Sequence, residues 1–589
     1  MRNSTLKVIV LAAAAACATT LSLYAQDPGG RWEPKVEIPW NRYYNHGELL
    51  DHMKRLQKAY PKFVKLVDIG KSFEGRPMRV MILTNHKTGK DTDKPAMWVD
   101  GNVHGNEVQG GEASIYLAWW LLEHYATNER AKNLLDTRTF YILPSQNPDG
   151  RDHWFNAANT PHSSRTGTTP TDNDRDGLFD EDDVDDLDGD GEILTMRKKV
   201  PLGQGTHRLD RDDPRIMIPI QGDQLGDYLV LGQEGIDNDG DGRVNEDGKG
   251  GYDMNRNWPS DWQPNHLQYG AGDFPFSYPE TASIGKFILA HPNIAAVQSF
   301  HNSGGMILRG PGASSVSYPR ADIQAYDALG QEGELMLPFY NYLIIYKDLY
   351  DVHGGFINWT YEGLGIFSFT NELWASQQYW GKDRERTGGW FTSNTRQSLE
   401  FNDSVNLGEL YIDWHSYDHP LYGEIEIGGF KRQHGRVAPS FMIEEMLHRN
   451  ALFCARHAEE IAIVSMEPPV VEDLGDGLYR ITVDVVNSAL FPSRSAMAAE
   501  NKIGTPDRVS IVGKNLKVLV GGTLSARNRM RPERLNSMVR NPSTVLLESG
   551  VPGHGRTLVS WLVRGSGKFS IQYQAQKADN SATEGKLGD

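Results

Sequence analysis

The chain has 589 residues, 39% hydrophobic, 23% charged and 10% aromatic. That length is far above the roughly 40–80 residues at which a domain struggles to bury enough apolar surface, and the aromatic content excludes a mainly disordered chain. The formal net charge is −17 without a basic stripe, which argues against nucleic acid or anionic lipid as a partner.

Residues 1–25 read as a secretory signal peptide. Arg2 and Lys7 give a positive start, Val8–Ala16 is apolar, and small or polar residues lead to a cleavage point near Ala25. The apolar run is short for stable membrane insertion. Cys17 weakly resembles a lipoprotein acylation site, but the apolar residues Leu21 and Leu23 continue past it. A secreted or periplasmic location is therefore expected. Only Cys454 then remains, so no internal disulfide can form, which points to a bacterial exported protein whose long loops are stabilised by calcium.

His46–Tyr60 has helical spacing at Leu49, Leu50, Met53 and Leu56. Strand-like runs follow at Val64–Ile69, Met78–Leu83 and Ala96–Val99, then a helix over Gly111–Tyr125 and a strand over Thr139–Leu143 that leads into Asn147-Pro148-Asp149-Gly150. Strands alternating with helices predict an α/β fold with a mixed, largely parallel central sheet flanked by helices. Sites in such folds lie at the carboxyl ends of the strands. Between residues 160 and 251 the pattern dissolves into Asp, Gly, Asn and Pro, a loop too long to stay structureless unless something organises it. A long helix is expected over Ser440–Ile463, and Glu467-Pro468-Pro469 marks a boundary. The catalytic domain is thus expected over 38–466 with 160–251 as its insertion. An all-β sandwich follows over 470–577, with strands at Tyr479–Val486, Val509–Leu519, Thr557–Val563 and Lys568–Ala575, and then a disordered tail over 578–589.

His104-Gly105-Asn106-Glu107 directly follows the strand ending at Val99, and a His and a carboxylate three residues apart on a tight turn can face one metal ion. His301, ending the strand-like run Ala296–His301, supplies a third ligand. Two His and one carboxylate leave a fourth position open, the catalytic pattern for Zn2+.

With these residues in place, the sequence resembles the zinc carboxypeptidases of the metallocarboxypeptidase (M14) family over roughly Trp40 to Ile463. The resemblance rests on "YPKFVKLVDIGKSFEGRPMRVMIL", the His104/Glu107 pair, "NPDG" at 147–150, "TMRKK" at 195–199, "YDMNRNW" at 252–258 and "YDVHGGFINWTYEGLGIFSFTNE" at 350–372. It implies His104, Glu107 and His301 as zinc ligands, with Asp253 orienting a zinc-bound His. It implies Glu372 as the general base and Arg197 as the residue that stabilises the oxyanion. Asn255 and Arg256 would bind the terminal carboxylate of a peptide or protein, Tyr350 would close over the substrate, and Ile357 would sit at the base of the side-chain pocket near Thr370. An apolar pocket leans toward hydrophobic or aromatic terminal residues; Arg309 is a counter-signal for acidic ones, though better read as solvated. The sequence departs from the family at Asn106 and at Asn302-Ser303-Gly304-Gly305.

The acidic insertion carries near copies of one pattern. Asp172, Asp174 and Asp176 precede Gly177; Asp237, Asp239 and Asp241 precede Gly242; a third set, Asp186, Asp188 and Asp190, precedes Gly191. Such spacing can wrap carboxylates around Ca2+, the Gly permitting the sharp turn, although no flanking helices make these EF-hands. The segments 172–192 and 237–248 hold −15 of the net charge. The expected function is a secreted zinc-dependent carboxypeptidase. An amidase acting on bacterial cell-wall peptides, or an inactive binding protein working through its β domain, are the alternatives.

Overall fold

The computed structural model describes residues 33–588 apart from 163–164, 166, 173–174, 376–394 and 525–540. The expected signal peptide with Cys17, and the acid Asp174, lie outside the described residues. Every helix and strand among the described residues lies in the unit that begins at Trp40.

An eight-stranded sheet runs through the centre of this unit. Its order is Val64–Lys71, Pro77–Leu83, Thr139–Leu143, Ala96–Gly101, Ile294–Asn302, Phe367–Leu373, Met306–Arg309, Asn341–Ile344. The middle strands pair in parallel, with antiparallel neighbours toward both edges, which is the mixed α/β architecture the alternating pattern predicts. The central strands are buried along their whole length because helices cover both faces. Gln109–His124 is the most enclosed helix, apolar nearly all round, and Ile443–Glu459 packs against it. Gly110 is needed where that first helix crosses the sheet: a Cβ there would lie 2.5 Å from the Phe300 carbonyl oxygen. The NPDG motif is a helix start, with the Asn147 side chain accepting from Gly150 N and Pro148 in the first turn of Pro148–Asn156.

The insertion is not a bare loop. Thr195–Lys199, His207–Leu209, Met217–Pro219 and Tyr228–Gln233 join Tyr411–His419 and Gly423–Phe430 in a six-stranded antiparallel sheet. The four strands inside the insertion are only three to six residues long, and only Leu194, Met196, Ile425 and Ile427 form the fully buried core of the sheet, so periodicity in the sequence does not reveal them.

Beyond residue 463 two sheets pack face to face around Ile481, Val483, Val485, Val509, Ile511, Trp561, Phe569 and Ile571. Two details correct the sequence reading. The run expected as one strand over Val509–Leu519 is two, Asp507–Gly513 and Leu516–Leu524, which lie in different sheets. The expected disordered tail instead contains an edge strand, Ser581–Leu587, paired along Gly567–Gln574. Backbone pairing orders it, with Leu587 and Ala578 its main buried apolar anchors. Strand Val464–Met466 already belongs to this module, pairing with 485–487.

Candidate metal centre and substrate cleft

The strand ends carry the site. Ala96–Gly101 runs into Asn102, whose backbone takes a left-handed turn (φ 58°). Its side chain donates to the carbonyls of His104 and Gly105 and accepts from Arg151 and Ser145. Arg151 is fully buried, paired with Glu112 and bonded to the Val108 carbonyl, so both ends of the 102–108 turn are pinned. His301 ends the next strand, and the parallel register sets Glu372 directly beside it. Met306 pairs with Glu372 on its other side. Three consecutive strands therefore deliver the ligand turn, His301 and Glu372 to one rim.

His104 Nδ1 lies 2.8 Å from Glu107 Oε1, and His301 Nδ1 lies 2.9 Å from Glu107 Oε2. Asp253 Oδ1 is 3.2 Å from the other nitrogen of His104, Nε2. If Nε2–H donates to Asp253, Nδ1 and the Glu107 oxygen are both acceptors and need a positive charge between them. The three donor atoms lie within 4.8 Å of one another and are buried, so the donor set fits a zinc ion with one position open. Burial alone would raise the pKa of Glu107, but the two imidazoles hold it well below the usual carboxylate range. Asp253 is likewise pulled down against burial by His104 and Arg256. Glu372 moves the other way: burial and the like charge of Glu107 push its carboxyl up.

Asp253 also caps the turn that carries the next two residues, accepting from Asn255 N at 2.8 Å. Asn255 Oδ1 accepts from Phe356 N, which ties this turn to the 350–357 segment. Gly354 (φ 63°) makes that approach possible, since a Cβ there would lie 2.3 Å from the Arg256 carbonyl oxygen. One cleft is consequently lined by His104, Glu107, His301, Glu372, Asn255, Arg256, Tyr350, Ile357 and Thr370. Met306 and Leu308 add to its apolar wall, and Tyr350 is half exposed at the mouth.

Two expectations are corrected. Arg197 does not line the cleft. It lies in the six-stranded sheet, its Nε donating to Glu426 at 2.7 Å and its guanidinium 3.9 Å from the Trp414 ring centroid. Arg309 is not solvated; it is buried, bonded to Tyr342 and paired with Asp327, away from the cleft lining. The arginines that do reach the centre are Arg165 and Arg436. Arg165 Nη1 donates to Glu107 Oε1 at 3.0 Å while its Nη2 lies 3.8 Å from Asp253 Oδ2, and Arg436 Nη2 is 3.5 Å from the same Glu107 oxygen. Arg165 stands in a Ser/Thr/Gly-rich stretch where nothing but its charge marks it, and Arg436 ends a polar, basic run over 431–436 where again nothing but its charge marks it.

The zinc carboxypeptidase family model matches residues 49–186 and 230–385. The chain belongs to that family. Residues 464–586 match the model of a domain of unknown function. Among curated proteins, carboxypeptidase Z of Mus musculus is 35% identical over 109 residues, 18% of this chain and 17% of that protein. Carboxypeptidase A2 of Mus musculus is 32% identical over 118 residues, 20% of this chain and 27% of that protein. The chain thus spans about a sixth to a quarter of the length of these curated relatives. The crystal structure of carboxypeptidase A from Helicoverpa armigera aligns with 74% of this chain and 78% of its own at 17% identity, TM-score 0.43.

Proposed function

We propose that the protein is an exported zinc-dependent carboxypeptidase that hydrolyses the C-terminal peptide bond of peptides or proteins. The observation that carries this reading is the juxtaposition, in one cleft, of an open His104/Glu107/His301 set, Glu372 beside it and Arg256 with Asn255 across from it. Zinc held there would polarise the scissile carbonyl and make its water acidic, with a pKa of about 7. Glu372 takes the proton from the attacking water and passes it to the leaving amine; its raised affinity for protons suits both steps. Arg165, rather than Arg197, places its positive charge where the oxyanion develops. The planar fork of Arg256 takes the terminal carboxylate, Asn255 Nδ2 adds a donor, and Tyr350 closes the mouth. Ile357 with Met306, Leu308 and Thr370 offers an apolar pocket to the terminal side chain. The test is Glu372→Gln, which should keep zinc while losing about 100-fold or more in turnover. A zinc-loaded Glu372→Gln protein with wild-type turnover would refute the assignment.

The reading extends to calcium in the insertion. The two acidic loops repeat at an offset of 65 residues, and their hydrogen bonds repeat with them. Asp172 accepts from Gly177 N as Asp237 does from Gly242 N, and Asp180 N donates to Asp247 as Asn245 N does to Asp182. Asp182 and Asp247 form a β-bridge at the centre of this exchange. Acid clusters at Asp176/Glu181/Asp239, Asp182/Asp239/Glu246, Asp186/Asp188/Asp190 and Asp237/Asp239/Asp241, three of them sharing Asp239, present oxygens close enough to hold a cation. Export follows from the reading of residues 1–25 as a signal peptide; among the described residues no helix is long and apolar enough to cross a membrane.

A further inference from the structure

Asn106 stands between the ligands His104 and Glu107, but its side chain is fully buried and does not line the cleft. Its Nδ2 donates to the Pro161 carbonyl at 3.1 Å, while its Oδ1 is buried with no hydrogen-bond partner among the described residues. An enclosed amide with an unspent acceptor is a poor choice for stability, because that oxygen is desolvated without return. What the amide does supply, and an apolar side chain would not, is the grip on Pro161.

Pro161 lies four residues before Arg165. The segment is fastened to the ligand turn a second time at Arg165 itself, whose carbonyl accepts from Gly105 N at 3.0 Å. Beyond it, Gly167 N donates to the Tyr252 carbonyl at 3.2 Å, just before Asp253. That end is closely seated, since a Cβ on Gly167 would lie 1.6 Å from the Tyr252 ring. Backbone bonds and packing therefore fix Arg165 and the chain after it, and the Asn106 amide fixes the chain before it.

The guanidinium cannot rely on its own ion pairs for placement. Glu107 is shared between both imidazoles, and Asp253 already faces His104 Nε2. The contact of Arg165 with Glu107 is thus one of several on that carboxylate, and its approach to Asp253 is long, at 3.8 Å. We infer that Asn106 is a positioning residue: by holding Pro161 it keeps the Arg165 guanidinium where the oxyanion develops, and so it acts on the transition state while leaving substrate binding alone. This rests on the carboxypeptidase reading and on Arg165 as the oxyanion's partner. A misplacement of about 1 Å can cost on the order of 100-fold in rate, so the loss of one anchor out of three should cost about tenfold.

The test is a double-mutant cycle on the zinc-loaded full chain. Asn106→Ala should lower kcat by about tenfold, with KM and zinc content at their wild-type values. Added to Arg165→Met, the same substitution should change kcat by less than about twofold, because the group through which Asn106 acts is gone. If Asn106→Ala does not fold, Asn106→Ser, which keeps a shorter donor, enters the same cycle. A second measurement needs no turnover. A peptide phosphonate, whose tetrahedral P–O− stands in for the oxyanion, should bind Asn106→Ala more weakly by the factor that kcat/KM loses. The intact peptide should bind Glu372→Gln and Glu372→Gln/Asn106→Ala proteins equally well. Wild-type kcat in Asn106→Ala, a loss that multiplies with that of Arg165→Met, or a fall in zinc content would each overturn the inference. In those cases an active wild type leaves the carboxypeptidase reading standing, whereas a zinc-loaded wild type that neither cleaves peptides nor binds the phosphonate overturns both.

Discussion

Phe367 of the central sheet stacks on Phe491 of the C-terminal module, ring centroids 4.2 Å apart and planes 8° from parallel. Phe367 begins the strand that ends at Glu372 and Leu373. Around this stack, Ser495 Oγ donates to the Gly365 carbonyl, and Asp322 of the catalytic fold accepts from the backbone N–H groups of Ala496 and Met497. The module therefore braces the strand carrying Glu372. Phe491→Ala, which removes a buried aromatic, should lower stability by about 3–5 kcal/mol and turnover along with it, measured by denaturant unfolding and steady-state kinetics. Full stability in that variant would show the stack to be dispensable.

The two arginine assignments separate cleanly. Arg165→Met removes a cation that touches Glu107, and should lower kcat by about 100- to 1,000-fold with zinc content unchanged. Arg197→Met removes a pairing with Glu426 and a stacking contact with Trp414. It should cost about 2 kcal/mol of stability while touching kcat far less. The reverse ranking in kcat would return the oxyanion role to Arg197.

Specificity is checked with a panel of terminal residues. Ile357 is nearly buried and shares the cleft wall with Met306 and Leu308. Apolar and aromatic C-terminal residues should be cleaved in preference to Lys and Arg, each methylene fitted to the pocket adding about 1–3 kcal/mol of discrimination. Ile357→Asp should shift the preference toward basic residues by supplying a carboxylate partner. A wild type that favours Lys or Arg would refute the apolar-pocket reading.

The residues behind these predictions differ in how legible they are in the sequence. His104, Glu107, His301 and Glu372 sit at the ends of strands whose apolar runs are plain, and a motif at a strand end can be read because the strand fixes where its last side chain lies. Arg165 and Arg436 cannot be read that way. Their positions depend on polar loops whose course is set by bonds such as Asn302 to the Arg436 carbonyl, and hydrogen bonds between distant loops leave no periodic trace. Arg197 misleads for a related reason. Its "TMRKK" segment is a strand whose alternation sends Met196 into the small core of the second sheet and Arg197 onto Glu426 of the neighbouring strand. The tail strand Ser581–Leu587 is hidden because its burial alternates strictly while its inner positions before Leu587 are Ser581, Thr583 and Gly585, none of them a large apolar residue.

The acidic insertion yields a prediction whose sign can be worked out. Desolvation together with the facing Asp247 carboxyl pushes Glu181 up to about 7, and desolvation with Asp182 does the same to Glu246, against 4.5 for an ordinary Glu. A carboxyl whose folded-state pKa is raised binds its proton more tightly when folded. Its contribution to stability is therefore complete below about pH 4.5 and is lost as pH rises through about 7. Calcium would replace the protons, holding the paired acids together in their charged form. In calcium-free protein that keeps its zinc, cleavage by added protease within 172–192 and 237–248 should increase as the pH is taken from about 4.5 to about 7. Millimolar calcium should suppress the increase at the upper end. Activity should fall with the loosening, because Glu192 of the same segment accepts from Arg432 N at the base of the loop carrying Arg436. The measurement is limited proteolysis with mass spectrometric mapping across pH, each sample paired with zinc quantitation and a rate assay. Protection that is indifferent to both pH and calcium would mean that the repeated loops are held by their own backbone bonds alone.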